Sequence, residues 1–454
     1  MSELKVTNPM TGEVLDTVTL AGAEEVQKMV DLAVAAEEGW AATPVYARAE
    51  YLYRFADALE KDAEYISQLS AKDMAKPIVQ ARGETMDGVK LLRAAAERAK
   101  HLYGEVLSDS GPGFEGDLVF TKREPLGTIA CIIPFNFPIE LTFQKIAPAL
   151  AMGNTVLVKA PSANPLAVLA LDKYAKVAGL PEGVLQFFTS DHEAVNEHII
   201  ANPKVDAISL TGSTAAGKRM VKAGADTLKR TFLELGGNDA LLIFEDADLD
   251  RALDEMVTSR MENNGQVCCS SKRFLVQRSI YDEVAKRLVE RLTALKRGSA
   301  LDEEAAVTAL VSERAAKEVE EQIRHTIEQG AELLCGGTRE GARVEPTVLV
   351  NVTPEMDIAS DLEIFGPVFP LIPFDTEEEA VRIANNSIYG LSSGLMTRDM
   401  NRAFRVGSKL KAGGAVVNGS GGYRHLDQPA TSRAVWDARV SAFRWRSSAT
   451  SRFM

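Results

Sequence analysis

Apolar residues recur every three or four positions through much of the first hundred residues. The pattern covers residues 23–36, 48–70 and 84–102, with charged residues between the apolar ones. This is the spacing of amphipathic helices that bury one face. The turn-rich segment 108–113, Ser-Asp-Ser-Gly-Pro-Gly, then interrupts it. The sequence therefore predicts a helical N-terminal part that ends at about residue 105.

From residue 127 onward, short apolar runs alternate with helical patterns. The runs cover residues 128–133, 155–159, 184–188 and 207–210, and the helical patterns cover 139–152, 166–178 and 193–201. Apolar strands that alternate with helices are typical of a buried parallel sheet. After Gly237 a second α/β section follows, with helices over 249–264, 281–295, 313–329, 377–385 and 401–411, and strands over 273–277, 369–373 and 414–417. We expect an α/β fold whose first sheet is doubly wound and Rossmann-like.

One segment matches the dinucleotide fingerprint GxGxxG literally, at residues 111–116. That fingerprint requires a strand before it and a helix after it. Here a polar loop precedes the segment and a strand-like run, residues 117–121, follows it. We interpret it as a hairpin loop rather than as a cofactor site.

Composition and charge exclude several functional classes. The 454 residues are 46% hydrophobic and 25% charged, which is ordinary for two or three soluble domains. The net charge of −13 disfavours nucleic acid or an anionic membrane as the main partner. The chain has no apolar run of the roughly 20 residues that a membrane span requires. The N-terminus opens no apolar signal segment, and we expect a cytoplasmic protein.

Three segments contain side chains suited to covalent catalysis. Glu234 lies in Leu-Glu-Leu-Gly-Gly, Cys268 ends Asn-Gly-Gln-Val-Cys, and Asn136 lies between two prolines in Pro-Phe-Asn-Phe-Pro. A thiolate can attack an aldehyde carbon, a carboxylate can activate water, and an amide can hold an oxyanion. Taken singly, the three residues could also be a buried thiol, a surface glutamate and a turn asparagine.

In this order and at about this spacing, the segments resemble the aldehyde dehydrogenase superfamily, of the hydrolytic succinate-semialdehyde and lactaldehyde dehydrogenase type. The resemblance extends from the first residues to about Pro429. It implies NAD(P)-dependent oxidation of an aldehyde to a carboxylic acid through a thiohemiacetal and a thioester. Cys268, rather than the adjacent Cys269, is then the nucleophile, Glu234 the general base and Asn136 an oxyanion donor. Lys145 is expected near the proton-exit route.

The candidate cofactor site begins at Gly212-Ser213-Thr214-Ala215-Ala216-Gly217, directly after an apolar run. Backbone N–H groups at a helix start suit a pyrophosphate, and Ser213 could equally cap the helix. The resemblance adds Lys159 at the adenosine ribose and Glu363 and Phe365 on the nicotinamide side. Ser162 replaces a glutamate common in NAD-preferring members, so the cofactor is expected to be NADP or NAD. The further contacts implied by the resemblance are Ile132, Pro134, Phe135, Gly212, Ala216 and Leu235.

The resemblance also implies a domain division. Residues 1–105 and 125–231 would bind the cofactor, 232–425 would form the catalytic domain, and 106–124 with 426–454 would form a small β oligomerisation extension. Such extensions usually pair with a neighbouring subunit, so we expect a homodimer or a weakly associated homo-oligomer. The four cysteines form no CxxC pair and no HExxH is present, so we expect neither a metal site nor a disulfide scaffold.

The last 25 residues depart from the family pattern. Residues 430–454 contain five arginines, no lysine and one acid, where the family has a Gly-Gly-x-Lys stretch and a final strand. A frame change in the gene and a natural tail both explain this. Arg424, just before it, could meet an anionic substrate or pair with Asp427. Two other functions remain open on these grounds, a cysteine hydrolase and a catalytically impaired or structural family member.

Overall fold

The computed structural model describes residues 2–107, 119–421 and 449–453. An antiparallel hairpin, β1 (Glu3–Thr7) and β2 (Val14–Thr19), comes first. Four helices and two further strands follow: α1 (Ala23–Ala42), α2 (Val45–Lys61), α3 (Ala63–Met74), α4 (Ile78–Ala99), β3 (Val106–Leu107) and β4 (Val119–Pro125). The hairpin was not predicted, because Val6 is its one fully buried residue. The helix predicted over residues 48–70 is two helices that meet at Asp62.

Five parallel strands form the first sheet, in the order β7-β6-β5-β8-β9. They are β5 (Thr128–Ile132), β6 (Thr155–Lys159), β7 (Leu185–Phe188), β8 (Ala207–Thr211) and β9 (Arg230–Glu234). Helices connect them: α5 (Pro138–Ala151), α6 (Leu166–Leu169), α7 (Leu171–Val177), α8 (His192–Val195), continued by a π-helix (Asn196–Ile200), and α9 (Thr214–Ala223).

Alternate residues of β5 pack into different hydrophobic cores. Ile129 and Cys131 belong to the cluster formed with α2, α4 and α5, whereas Ala130 and Ile132 belong to the cluster formed with α1. Since successive side chains of a strand point to opposite faces, both faces of the sheet are covered. The predicted doubly wound α/β sheet is confirmed.

A second sheet of seven strands has the order β12-β15-β16-β11-β10-β17-β18 and is parallel except for the edge strand β12. The strands are β10 (Asp239–Ile243), β11 (Ser271–Gln277), β12 (Glu332–Cys335), β15 (Thr347–Val350), β16 (Val368–Phe374), β17 (Ser393–Met396) and β18 (Ala415–Val417), with a separate hairpin of β13 (Arg339–Glu340) and β14 (Arg343–Val344). Its helices are α10 (Leu249–Met261), α11 (Tyr281–Thr293), α12 (Glu313–Glu328), α13 (Glu377–Ala384) and α14 (Met400–Gly407). The sequence pattern did not predict β9, β10, β12, β13, β14, β15 and β17, because runs of two to five residues between polar turns fit several structures.

The third sheet corrects one expectation about the C-terminal tail. Because the sequence of the tail departs from the family pattern, the final strand was expected to be lost. Instead, β19 (Ala449–Phe453) pairs antiparallel with β4, which gives the order β19-β4-β3. Backbone hydrogen bonds form such a ladder largely independently of side-chain identity. Residues 108–118, with the glycine motif, and 422–448, with Arg424 and Asp427, lie outside the described residues. Within the described ranges, no helix is long and apolar enough to cross a membrane, and no metal-binding cluster is found.

Candidate active site

The predicted site residues of the first sheet lie at one edge of it. Ile132 ends β5, Lys159 ends β6, Gly212 directly follows β8, and Glu234 ends β9. The carboxyl ends of parallel strands share one edge of the sheet. After β7 the chain crosses to β8 on the other side of β5, so the strand order reverses between β5 and β8. A crevice opens at such a switch point and is the usual ligand site of open α/β sheets.

The structure brings Cys268 and Glu234 together. The Cys268 Sγ lies 3.7 Å from Glu234 Oε1 and 3.8 Å from Oε2. Glu234 is buried at the end of its strand, and Cys268 is half-buried. Contacts of this length are common before substrate binds and still permit a thiol proton to reach the carboxylate.

The backbone before Cys268 is left-handed at three consecutive residues. Asn263, Asn264 and Gly265 have φ angles of 46°, 55° and 80°. Asparagine tolerates this region better than other non-glycine residues, which explains the Asn-Asn-Gly sequence. A Cβ atom on Gly265 would lie 2.2 Å from the carbonyl oxygen of Gly366. The turn thus needs glycine for conformation and for space.

Asn136 is joined to the same loop from the first sheet. Its side-chain Nδ2 donates to the carbonyl oxygen of Gln266 at 2.9 Å, and its own carbonyl oxygen accepts from Asn263 Nδ2 at 2.9 Å. The Asn136 amide nitrogen carries a second N–H, which an oxyanion could use. The loop with Asn136 and the loop with Cys268 therefore hold each other in place.

Lys145 lies behind this crevice on α5. It is buried, and its Nζ donates to Thr211 Oγ1, at the end of β8, at 2.6 Å. Pro134 is half-buried, and Leu235, directly after Glu234, is buried. Pro134 and Leu235 thus lie at the crevice edge and Lys145 lies behind it, while the functional roles of all three stay predictions.

The adenosine-side candidates form two small groups. Lys159 Nζ donates to Ser162 Oγ at 2.9 Å, and burial lowers the pKa of Lys159 to about 8. Ser213 caps α9 by accepting from the backbone N–H of Ala216 at 3.2 Å. A lysine with a serine hydroxyl, together with a helix start that follows Gly212, offers donors to anionic oxygens. This donor set fits a phosphorylated dinucleotide.

The nicotinamide-side candidates also lie together. The rings of Phe135 and Phe365 pack edge to face with centroids 6.0 Å apart. Glu363 Oε1 accepts from the backbone N–H of Gly237 at 3.1 Å and lies 3.4 Å from Lys272 Nζ. The segment of residues 363–367 therefore meets the loop that follows Glu234.

Sequence reasoning missed two buried cations beside the candidate nucleophile Cys268. The guanidinium of Arg260 is fully buried and donates to the carbonyl oxygens of Gly265, Ile364 and Val368; burial lowers its pKa to about 9. Lys272 Nζ donates to the carbonyl oxygen of Cys268 at 2.5 Å. A signal for Arg260 did exist, because it continues the buried face of α10, where the buried residues include Leu253, Met256 and Arg260. Lys272 gave none, since most lysines are exposed.

The chain is similar to known proteins both in sequence and in fold. The sequence model of the aldehyde dehydrogenase family matches residues 1–430. A probable succinate-semialdehyde dehydrogenase [NADP(+)] of Sinorhizobium fredii is 35% identical over 417 residues, 91% of this chain and 84% of the relative. A lactaldehyde dehydrogenase of Methanococcus aeolicus is 33% identical over 431 residues, 94% and 91% of the two chains. The solved structure of glyceraldehyde-3-phosphate dehydrogenase from Methanocaldococcus jannaschii complexed with NADP has a TM-score of 0.92 at 31% identity, covering 99% of this chain and 98% of that one.

Proposed function

Because the chain belongs to the aldehyde dehydrogenase family and is an NAD(P)-dependent aldehyde dehydrogenase, we propose that Cys268 is its nucleophile and Glu234 its general base. The observation that carries this proposal is the 3.7 Å contact between the Cys268 thiol and the Glu234 carboxylate. A thiol and a base within reach of each other are the minimum for covalent catalysis on a carbonyl carbon.

In the first half-reaction, the Cys268 thiol gives its proton to Glu234 and the thiolate adds to the aldehyde carbon. The carbonyl oxygen becomes an alkoxide, which the Asn136 amide and the backbone N–H of Cys268 would hold by hydrogen bonds. The nicotinamide ring supplies the hydride acceptor when the cofactor is bound. Loss of hydride from the thiohemiacetal carbon leaves a thioester on Cys268.

Before the second half-reaction, Glu234 releases the thiol proton to solvent. It then takes a proton from a water molecule, and the resulting hydroxide adds to the thioester carbon. Collapse of this second tetrahedral intermediate breaks the carbon–sulfur bond. The carboxylic acid is released, and Cys268 leaves as a thiolate. The buried position of Glu234, next to the sulfur, supports its role in both half-reactions.

For the substrate, we propose a small polar aldehyde of the kind named for the relatives, succinate semialdehyde or lactaldehyde. For the cofactor, we propose NADP before NAD, because Ser162 brings no negative charge to the 2′-phosphate and lies beside Lys159. All four cysteines are free, which agrees with a cytoplasmic location. The matches give no support to a catalytically impaired member or a cysteine hydrolase.

The test is reduced-cofactor absorbance with succinate semialdehyde and lactaldehyde, using the wild type, Cys268→Ala and the matched control Cys269→Ala. We expect Cys268→Ala to lose oxidation while still binding cofactor, and Cys269→Ala to retain most of its activity. Substantial turnover by Cys268→Ala would assign the nucleophile to another thiol. A wild type inactive on every aldehyde tried, with either cofactor, would contradict the proposed substrate class.

A further inference from the structure

Lys272 lies where three segments of the candidate active site meet. It is the second residue of β11, and its side chain is 1% exposed. The ammonium donates to the carbonyl oxygen of Cys268 at 2.5 Å and lies 3.4 Å from Glu363 Oε1. It also lies 5.7 Å from the ring centroid of Phe365. Burying an ammonium costs free energy unless it is paired, so these contacts stabilise the charged side chain of Lys272 at this position.

The contacts of Lys272 also involve the loop that follows Glu234. Glu363 Oε1, which Lys272 approaches, also accepts from the backbone N–H of Gly237. A Cβ atom on Gly237 would lie 2.7 Å from the carbonyl oxygen of Cys268, the same oxygen that accepts from Lys272. The nucleophile, the segment after the base and the cofactor-side carboxylate are therefore packed around one positive charge.

Among the contacts of the described residues, Oε1 is the carboxylate oxygen that holds Glu363. Oε1 faces Lys272 and the Gly237 N–H, while Oε2 lies over Gly236, where a Cβ atom would come within 2.3 Å of it. The orientation of the carboxylate thus depends on the ammonium as well as on one backbone N–H. A cation that orients a ligand-binding carboxylate affects ligand affinity without touching the ligand.

We propose that Lys272 is a positioning residue that couples the nucleophile Cys268 to the cofactor-side carboxylate Glu363, an inference that rests on the proposed function of the two. Its positive charge, one hydrogen bond from the Cys268 backbone, favours the thiolate over the thiol. Its contact with Glu363 holds that carboxylate in the orientation that the ribose of a bound cofactor meets. One side chain therefore serves both the thiol and the cofactor.

The experiment compares Lys272→Met with the control Lys229→Met. Lys229 Nζ also donates to backbone carbonyl oxygens, those of Asn202 and Val205, but it precedes the amino end of β9, the end opposite Glu234. Two properties are measured in each variant. One is the pH midpoint of Cys268 alkylation by iodoacetamide, followed by mass spectrometry at that residue. The other is the KM for NADP.

For Lys272→Met we expect the alkylation midpoint to move upward and the KM for NADP to rise at least about tenfold, roughly 1.4 kcal/mol. Lys272→Arg, which keeps the cation, should return the midpoint toward the wild-type value, and Lys229→Met should change neither property. A folded Lys272→Met with both properties unchanged would overturn the proposal, as would equal changes in Lys229→Met. Alkylation needs no aldehyde, so it tests the effect of Lys272 on the Cys268 thiol even if the proposed oxidation fails.

Discussion

Glu234 lies beside Cys268, and replacing it should slow thioester hydrolysis more than hydride transfer, because a thiol can lose its proton to solvent whereas the attacking water needs a base. In Glu234→Gln the amide keeps the size of the side chain but cannot take a proton from water. We expect a burst of reduced cofactor followed by a steady state at least about a hundredfold slower, the usual scale of general-base catalysis. Rapid-mixing absorbance measures both phases. An unchanged steady-state rate would remove Glu234 from thioester hydrolysis.

Ser162 accepts a hydrogen bond from Lys159, and a carboxylate at this position should change cofactor choice. In Ser162→Glu the new charge repels a 2′-phosphate but can accept from the free ribose hydroxyls of NAD. We expect the kcat/KM ratio of NADP to NAD to fall at least about tenfold, roughly 1.4 kcal/mol. Ser162→Ala is the control, because it removes the hydroxyl without adding charge. Equal ratios in all three proteins would show that residue 162 does not face the ribose.

The charge of Lys159 should make the binding of NADP depend on pH. Burial lowers the pKa of Lys159 to about 8, so its positive charge is present below that pH and is lost above it. A bound 2′-phosphate favours the charged form and extends it to higher pH. We expect the Kd for NADP to increase between pH 7 and pH 9.5 more than the Kd for NAD. Fluorescence titration measures both constants, and Lys159→Met should abolish the difference.

At the scale of the element, the turn before Cys268 places the thiol. Gly265 has a φ of 80°, and a Cβ atom there would lie 2.2 Å from the carbonyl oxygen of Gly366. We expect Gly265→Ala to lower the free energy of unfolding by about 3 kcal/mol, from left-handed strain plus the clash, and to reduce kcat by displacing Cys268. Chemical denaturation and steady-state kinetics measure the two effects.

Gly341 is the matched control for that substitution. Its φ is 58°, also left-handed, but among the described residues other than its chain neighbours no atom lies within 4 Å of the position that a Cβ would occupy. Gly341→Ala should therefore cost only the strain, about 1 kcal/mol, and leave kcat unchanged. Equal destabilisation by the two substitutions would mean that the close contact with the Gly366 carbonyl oxygen does not contribute to the loss of stability.

At the scale of the whole molecule, the sheet β19-β4-β3 affects how subunits can associate. β19 pairs with one edge of β4, so a strand from a neighbouring subunit cannot pair with β4 there, and the outer strands of this sheet are β19 and the short β3. We expect a dimer or a concentration-dependent mixture rather than a firm tetramer, because the edge of β4 is already paired within the chain. Sedimentation velocity over a concentration series measures this. A single tetramer at the lowest concentration would contradict the prediction.

Much of the fold could be predicted because the pattern of apolar residues follows directly from burial. The strand Thr155–Lys159 has the predicted limits, and α12 (Glu313–Glu328) differs by one residue, since strongly periodic segments leave few alternatives. The order and spacing of Asn136, Glu234 and Cys268 identified the family, because covalent chemistry on an aldehyde needs these three groups in defined local settings. The sequence by itself therefore determined the fold class, the family and the candidate chemistry.

Only the tertiary structure decided which distant residues complete the site. The approach of Cys268 to Glu234 depends on how the two sheets pack, and that of Lys272 to Glu363 depends on where the loop between β15 and β16 lies; no local pattern encodes either. The same holds for β19, where backbone pairing outweighed an atypical sequence. Local periodicity reports whether a residue is buried, whereas partners far apart in the chain are fixed only when the loops of both sheets come together.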